Sequence, residues 1–157
     1  MVGVIGASRA GDELCAVAEE VGQEIASHGA AVVCGGLTGV MEAVCKGARR
    51  RGGVTIGILP SDCKEDANPY VQIPIVTGIG VARNAIIART ADVVIAVGGQ
   101  FGTLSEMGYA LNMGKTVVAL GSWKLEKATD DPIPNLINAH EPREAVDAAL
   151  KAIKAKL

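Results

Sequence analysis

The chain has 157 residues, a mass of 16.0 kDa and a formal net charge of -2, with one short basic run at Arg49-Arg50-Arg51, so its composition argues against a nucleic-acid-binding surface. Hydrophobic residues make up 49% of it, yet its apolar stretches are far shorter than the roughly 20 residues that a membrane span needs. The length suits a single domain over residues 1–157, large enough to bury about two thirds of the surface of the unfolded chain.

The first residues and the cysteines predict where the protein works. Residues 1–6 have the pattern of a strand, with no basic leader or cleavage site, so we expect a cytoplasmic protein. The four cysteines lie far apart, with no Cys-x-x-Cys pair and no histidine at metal-ligand spacing. We therefore expect reduced thiols and no metal site.

The first half of the chain alternates apolar runs with segments of helical periodicity. Glycine-containing turns follow the first two runs, at residues 6–11 and 35–39, which we call the first and second glycine loops. Asp12 is predicted to cap the first helix, and Gly29 follows it where a left-handed C-cap is favoured. The predicted elements are strand 2–6, helix 12–28, strand 30–34, helix 40–51 and strand 54–59.

The second half continues the alternation after a polar, turn-rich loop at residues 61–70. Pro142 is expected in the first turn of a C-terminal helix, and a turn is predicted over residues 130–134. The other predicted elements are strand 73–77, helix 81–90, strand 91–97, helix 104–113, strand 115–120 and a short edge strand 136–138.

Six or seven strands alternating with helices predict a doubly wound, three-layer α/β sandwich with a mainly parallel, Rossmann-like sheet. In such folds ligands bind beyond the carboxyl ends of the strands, where the strand order reverses. Each glycine loop follows a strand, so we expect the loops at that edge.

A third glycine loop, residues 98–102, lies between an apolar strand and a predicted helix. Its glycines let a ligand approach the main chain, and the helix start supplies free N–H groups and a positive dipole end. Thr103 adds a hydroxyl group, and Glu106 places a carboxylate one turn into the helix. The segment therefore predicts a phosphate-binding loop with a carboxylate beside it.

Two common nucleotide-binding motifs are missing. The first glycine loop lacks the middle glycine of the dinucleotide fingerprint, and Cys34 ends the second strand close to where an acidic ribose ligand would be expected. The sequence contains no Gly-Lys-Ser or Gly-Lys-Thr, so it is not a P-loop NTPase. The missing dinucleotide fingerprint and the missing acidic residue disfavour NAD binding.

Three other motifs occur in order along the chain, Gly35-Gly36-Leu37-Thr38-Gly39-Val40-Met41, Arg83-Asn84 and Gly99-Gln100-Phe101-Gly102-Thr103-Leu104-Ser105-Glu106. Together they resemble the Lonely Guy type phosphoribohydrolases, often mislabelled lysine decarboxylases, and the related molybdenum cofactor carrier proteins. The resemblance covers roughly residues 2–121. The hydrolases have Pro-Gly-Gly-x-Gly-Thr-x-x-Glu and an Arg-Lys pair, whereas this chain has Gly98, Gln100 and Asn84 in place of the Pro, the second Gly and the Lys. With these residues the chain looks closer to the carrier branch.

The resemblance implies a set of site residues and an assembly. Arg83 and Glu106 match the Arg and Glu that the hydrolases use for catalysis. Family members are dimers or tetramers, so a homodimer or homotetramer is implied. The expected ligand contacts are Gly6, Ser8, Gly36, Thr38, Gly39, Gly99, Gln100, Phe101, Gly102 and Thr103.

Two functions follow from the resemblance, and both stay open. One is a carrier that binds a nucleotide monophosphate, phosphate or molybdopterin without turnover and needs no other cofactor. The other is a hydrolase that cleaves the N-glycosidic bond of a nucleoside 5'-monophosphate, with Glu106 stabilising the oxocarbenium-like state or activating water. True lysine decarboxylation is rejected, because no lysine lies in a setting suited to pyridoxal phosphate.

Overall fold

The computed structural model describes residues 1–129 and 131–155. Asp130, the first residue of the turn predicted over 130–134, lies outside the described residues. The strands are β1 (Val2–Gly6), β2 (Val32–Cys34), β3 (Thr55–Leu59), β4 (Ile73–Val76), β5 (Val93–Val97), β6 (Val117–Leu120) and β7 (Leu136–Ala139). The helices are α1 (Asp12–Ser27), α2 (Val40–Arg50), α3 (Asn84–Thr90), α4 (Phe101–Asn112) and α5 (Pro142–Lys154), with single 3-10 turns at Lys64–Asp66 and Gly80–Arg83. Among the described residues, no helix is both long enough and apolar enough to cross a bilayer.

The seven strands form one sheet in the order β4-β3-β2-β1-β5-β6-β7. Every neighbouring pair is parallel, which confirms the predicted doubly wound, Rossmann-like sandwich. The chain moves outward from β1 to β4 and then returns to the other side of β1 with β5. The strand order therefore reverses between β1 and β5, where open α/β sheets bind their ligands.

Helices cover both faces of the sheet. Val21 of α1, Val44 of α2 and Val146 of α5 form one apolar core with the strand residues on one face of the sheet. Ile87 of α3 and Met107 of α4 belong to a second core on the opposite face. Strand residues alternate between the two cores, and each core is apolar, which explains the nearly continuous apolar runs in the sequence.

Helices α1 and α2 cross at very short range because glycines face the partner backbone. A Cβ added at Gly47 would lie 1.8 Å from the backbone oxygen of Glu19, and one added at Gly22 would lie 2.1 Å from that of Val44. No heavy atoms can approach so closely, so any side chain at either position must push the helices apart.

Gly47→Ala is therefore expected to lower the free energy of unfolding by about 1–3 kcal/mol, the typical cost of overpacking a core. Gly108→Ala is the matched control, because an added Cβ at this exposed α4 position meets nothing within 4 Å. The control should raise the free energy of unfolding by roughly 0.5–1 kcal/mol, the helix propensity difference. Urea unfolding of both variants tests this, and equal effects of the two substitutions would contradict the close crossing.

The start of α4 differs from the prediction. The helix begins at Phe101, three residues before the predicted Leu104, because the Leu104 N–H already donates to the backbone oxygen of Gln100 at 3.0 Å. Gly102, predicted as a loop residue, thus belongs to the first helical turn together with Thr103. The free N–H groups of this helix consequently begin within the third glycine loop itself.

The remaining boundary errors are small and have local causes. Residues 80–83 form a 3-10 turn, so the helix predicted over 81–90 is α-helical only from Asn84. Asp12 is the first helical residue and not the cap, since Gly11 takes the N-cap position. The strands predicted at 30–34 and 91–97 begin two residues later, because their pairing with β1 starts opposite Val2. The helix end at Gly29, with φ +71, and Pro142 in the first turn of α5 agree with prediction.

Candidate functional site

A cavity of about 230 Å³ opens at the carboxyl edge of the sheet, between the ends of β1 and β5. Its walls come from the three glycine loops, the 3-10 turn before α3 and the first two turns of α4. The lining residues are Ile5, Gly6, Ala7, Ser8, Gly35, Leu37, Met41, Val81, Arg83, Asn84, Gln100, Gly102, Thr103 and Glu106. The cavity thus lies at the point where the strand order reverses.

The structure divides the site residues predicted from the sequence into two groups. Those that line the cavity are Gly6, Ser8, Arg83, Gln100, Gly102, Thr103 and Glu106. Those that lie outside its lining are Gly36, Thr38, Gly39, Gly99 and Phe101. The residues of the second group belong to the second and third glycine loops, but they do not face the cavity.

The second glycine loop packs directly against the first. The Thr38 hydroxyl donates to the backbone oxygen of Ser8 at 2.9 Å. Gly39 has φ +66, and a Cβ there would lie 2.4 Å from the backbone oxygen of Ala7. Only glycine therefore allows this contact, and the two residues fix the shape of the wall around Ser8.

Asn68 is a supporting residue that the sequence analysis missed. Its backbone N–H and its side-chain amide both donate to the backbone oxygen of Gly36, at 2.9 and 3.2 Å, and the amide also donates to that of Leu37 at 2.8 Å. Asn68 is buried, so these hydrogen bonds hold the second glycine loop firmly. No local pattern could have revealed it, because its partners lie about thirty residues away in sequence.

Arg83 and Glu106 lie next to each other in the cavity wall. Arg83 is 8% exposed and Glu106 6% exposed, and the distance from Nη1 to Oε1 is 3.6 Å. Burial raises the pKa of Glu106 to about 7, although the positive charge of Arg83 acts in the opposite direction. Burial also lowers the pKa of Arg83, and the carboxylate of Glu106 partly offsets this. A carboxyl group with such a pKa can both accept and donate a proton near neutrality.

A chain of polar contacts positions Arg83. Its Nη1 donates to the side-chain oxygen of Asn84, whose amide donates to the Ser105 hydroxyl at 3.3 Å. The Ser105 hydroxyl in turn donates to the backbone oxygen of Gly102 at 2.7 Å. Asn84, which stands where the hydrolases have Lys, thus links Arg83 to the first turn of α4.

The Nε of Arg83 is a buried donor with no hydrogen-bond partner among the described residues. Leaving a buried N–H of a charged group unpaired costs free energy, so such atoms are rare in folded proteins. Arg83 lines the cavity, so an anion bound there could form charge-assisted hydrogen bonds with its guanidinium group. The guanidinium group thus lies beside the cavity with part of its hydrogen-bonding capacity unused.

The third glycine loop places backbone donors on the other side of the cavity. Gly99 has φ +116, and a Cβ there would lie 2.5 Å from the Thr103 side chain, so the loop folds back tightly onto the helix start. Gln100 is the N-cap residue of α4 and makes no side-chain capping bond. The first N–H groups of α4 are therefore not capped by Gln100 and remain available for an anion.

The described residues contain neither a metal-ligand cluster nor a disulfide bond. Within residues 1–129 and 131–155, no group of three or more His, Cys, Asp or Glu side chains could hold a metal ion. All four cysteines are free thiols in the structure. The buried pair Cys34 and Cys45 has an Sγ–Sγ distance of 3.5 Å and packs beneath the second glycine loop.

Comparison with known proteins assigns the family. A family model described as the SLOG cluster4 family matches residues 1–146. The chain belongs to the SLOG cluster4 family. A relative of this SLOG cluster4 protein, an uncharacterised protein of Archaeoglobus fulgidus, is 45% identical over 119 residues, which are 76% of this chain and 78% of the relative.

More distant relatives of the SLOG cluster4 protein have named activities. The cytokinin riboside 5'-monophosphate phosphoribohydrolase of Mycobacterium tuberculosis is 34% identical over 71% of this chain, and the match covers 64% of that enzyme's length. Among solved structures, the molybdenum cofactor binding protein of Rippkaea orientalis aligns with a TM-score of 0.86, 35% identity and coverage of 98% and 96% of the two chains. The molybdenum cofactor carrier protein of Chlamydomonas reinhardtii aligns with a TM-score of 0.83, 35% identity and 98% coverage of both chains.

The resemblance predicted from the motifs is therefore confirmed at the level of the family. The SLOG cluster4 chain is similar over nearly its whole length to the carrier proteins, whereas its match to the mycobacterial hydrolase leaves about a third of that enzyme unmatched. Chemically, the cavity offers one buried cation, one carboxyl group of raised pKa and a helix start. These are groups that can bind a phosphate ester and hold a proton near it.

Proposed function

We propose that the protein binds a small phosphorylated, nucleotide-like ligand in the cavity between β1 and β5, as a carrier similar to the molybdenum cofactor carrier proteins. The observation that carries the proposal is Arg83, a residue of the cavity lining whose guanidinium group is buried and whose Nε has no partner among the described residues. A phosphate oxygen beside this guanidinium group would form charge-assisted hydrogen bonds with it. Nucleotide monophosphate, inorganic phosphate and molybdopterin all supply such an oxygen.

The ligand's phosphate would lie between Arg83 and the start of α4. Backbone N–H groups near Gly102 and Thr103 and the positive end of the helix dipole favour an anion there. Ser8 and Gln100 also line the cavity and offer further polar groups. Structural similarity to proteins named for the molybdenum cofactor supports the carrier role over turnover.

The second candidate is a phosphoribohydrolase acting on nucleoside 5'-monophosphates. It is favoured by Glu106, whose carboxyl group has a pKa of about 7 and lies beside Arg83, and by the named activity of the mycobacterial relatives. In that reaction the N-glycosidic bond breaks, its electron pair leaves with the base, and water adds to the oxocarbenium-like carbon. The carboxylate of Glu106 would stabilise that charge or take a proton from the water.

One assay separates the two candidates. The protein is incubated with GMP or AMP at neutral pH, and free base is measured by chromatography while thermal unfolding is followed in parallel. We expect no free base but a clear stabilisation, about 2.7 kcal/mol when the ligand is present at roughly 100 times its dissociation constant. Base release that is lost in Glu106→Gln would favour the hydrolase. No stabilisation by any phosphorylated compound would contradict both candidates.

The proposal includes a homo-oligomer and a cytoplasmic location. The side chains of Ile73 and Ile75 on β4 are nearly half exposed, and Ile86 on α3 is exposed as well. Ile73 and Ile75 lie on the face of the sheet that α3 and α4 cover only in part. A second copy of the chain would remove these two side chains and Ile86 from water. The free cysteines are compatible with a reducing compartment.

A further inference from the structure

Two of the chain's few aromatic residues meet beside the candidate site. The sequence has one Phe, one Trp and two Tyr. Phe101 and Trp123 pack against each other with ring centroids 5.6 Å apart and an interplanar angle of 37°. Phe101 is nevertheless 79% exposed. An exposed aromatic surface of this kind usually marks a contact with a ligand or partner.

The position of Trp123 is fixed by hydrogen bonds to the third glycine loop. Its indole Nε1 donates to the backbone oxygen of Gln100 at 3.2 Å, and the neighbouring Ser122 hydroxyl donates to that of Gly98. The indole ring is therefore held on the loop, with its orientation set by the backbone. A ring that is already ordered loses little conformational freedom when a ligand stacks on it.

An open groove of about 350 Å³ borders Trp123 of this aromatic pair. Its lining residues are Gly98, Gly99, Gly121, Ser122, Trp123 and Lys124. The ammonium group of Lys124 is paired with Glu126 at 2.9 Å, so the groove carries little unpaired positive charge. Glycines, an indole ring and a lysine that is already ion-paired suit an uncharged planar group better than a phosphate.

The groove and the phosphate cavity lie on two sides of the same loop. Phe101 stands between Gln100 and Gly102, which both line the cavity, while Gly98 and Gly99 line the groove. We propose that Phe101 and Trp123 form a stacking subsite for the planar heteroaromatic ring of a ligand whose phosphate occupies the cavity. This inference rests on the proposed function, and it assigns the residues that would hold the purine- or pterin-like ring of such a ligand.

Trp123, as the sole tryptophan, reports on this subsite directly. GMP has a purine ring with the amino-oxo edge of a pterin, whereas ribose 5-phosphate has no ring system of this kind. We expect both compounds to bind but only GMP to quench the tryptophan fluorescence. Calorimetric titration should show that Phe101→Ala weakens GMP binding by about 5- to 150-fold, the usual range for loss of one stacking contact. The affinity for ribose 5-phosphate should stay within about twofold.

Tyr109→Ala is the matched control, since Tyr109 is an exposed aromatic residue on the same helix, two turns further along. It should leave both affinities unchanged, and Phe101→Tyr should restore GMP binding because it restores the ring. Equal affinities for GMP and ribose 5-phosphate without quenching would overturn the stacking subsite alone. Binding of neither compound would overturn the proposed function with it.

The rival occupant of the aromatic surface is a second copy of the chain. In that case Phe101→Ala would lower the molecular mass measured by sedimentation and would weaken both compounds equally. This outcome would also overturn the proposal. An unchanged mass together with a selective loss of GMP affinity would support it.

Discussion

Arg83→Met is expected to weaken the binding of GMP and of ribose 5-phosphate by at least about 30-fold, because truncating a buried partner of a bound charge costs 2 kcal/mol or more. Methionine fills a similar volume without the charge. Loss of the Arg83 charge should also raise the pKa of Glu106, since that charge now lowers it. The carboxyl group will then be neutral at pH 7, so the variant keeps no unpaired buried charge.

Arg89→Met is the control for this prediction, because Arg89 is exposed on α3, six positions further along the chain. Calorimetric titration of both variants should show the loss in Arg83→Met alone. Thermal unfolding of the unliganded proteins shows whether the fold is kept. Unchanged affinity in a folded Arg83→Met protein would place the phosphate outside the cavity.

Glu106 is expected to make the protein less stable as the pH rises from about 4.5 to about 7. Its pKa in the folded protein is raised from 4.5 to about 7 by burial. Within this window the folded protein holds a proton that the unfolded chain has released, so unfolding becomes easier with each step in pH. The contribution of protonated Glu106 to the free energy of unfolding is fully present below pH 4.5. Above pH 7 this contribution is lost, and the free energy of unfolding is lower by about 3 kcal/mol.

Glu106→Gln removes this titration while keeping the shape and polarity of the side chain. The free energy of unfolding, measured in urea between pH 4.5 and 8, should fall in the wild-type protein relative to the variant, and the difference between them should grow with pH. Other groups titrate equally in both proteins, so the difference isolates Glu106. Parallel curves would mean that Glu106 is ionised with an ordinary pKa.

The fold could be predicted from the sequence because its central parallel strands are buried on both faces. Val93–Val97 is apolar at every position, and such runs between helical segments leave few alternatives to a doubly wound sheet. The predicted helix boundaries were less accurate where a glycine lies within the first turn of a helix. Gly102 suggested a loop, yet the hydrogen bond from Leu104 to Gln100 includes it in α4.

The site was predictable where one segment supplies several of its groups. The third glycine loop and Glu106 are close in sequence, and the family resemblance added Arg83. Asn68 was missed because its hydrogen bonds join distant segments, and Val81 because a rim residue has no pattern of its own. Phe101 was predicted as a ligand contact, but it lies outside the cavity and against Trp123.

The most direct test is a crystal structure of the protein with GMP at a saturating concentration. We expect the phosphate in the cavity between Ser8 and Thr103, with one oxygen about 3 Å from a nitrogen of the Arg83 guanidinium group. A phosphate bound elsewhere, for example along α5, or an empty cavity in the presence of bound GMP, would contradict the central claim that this cavity is the phosphate-binding site.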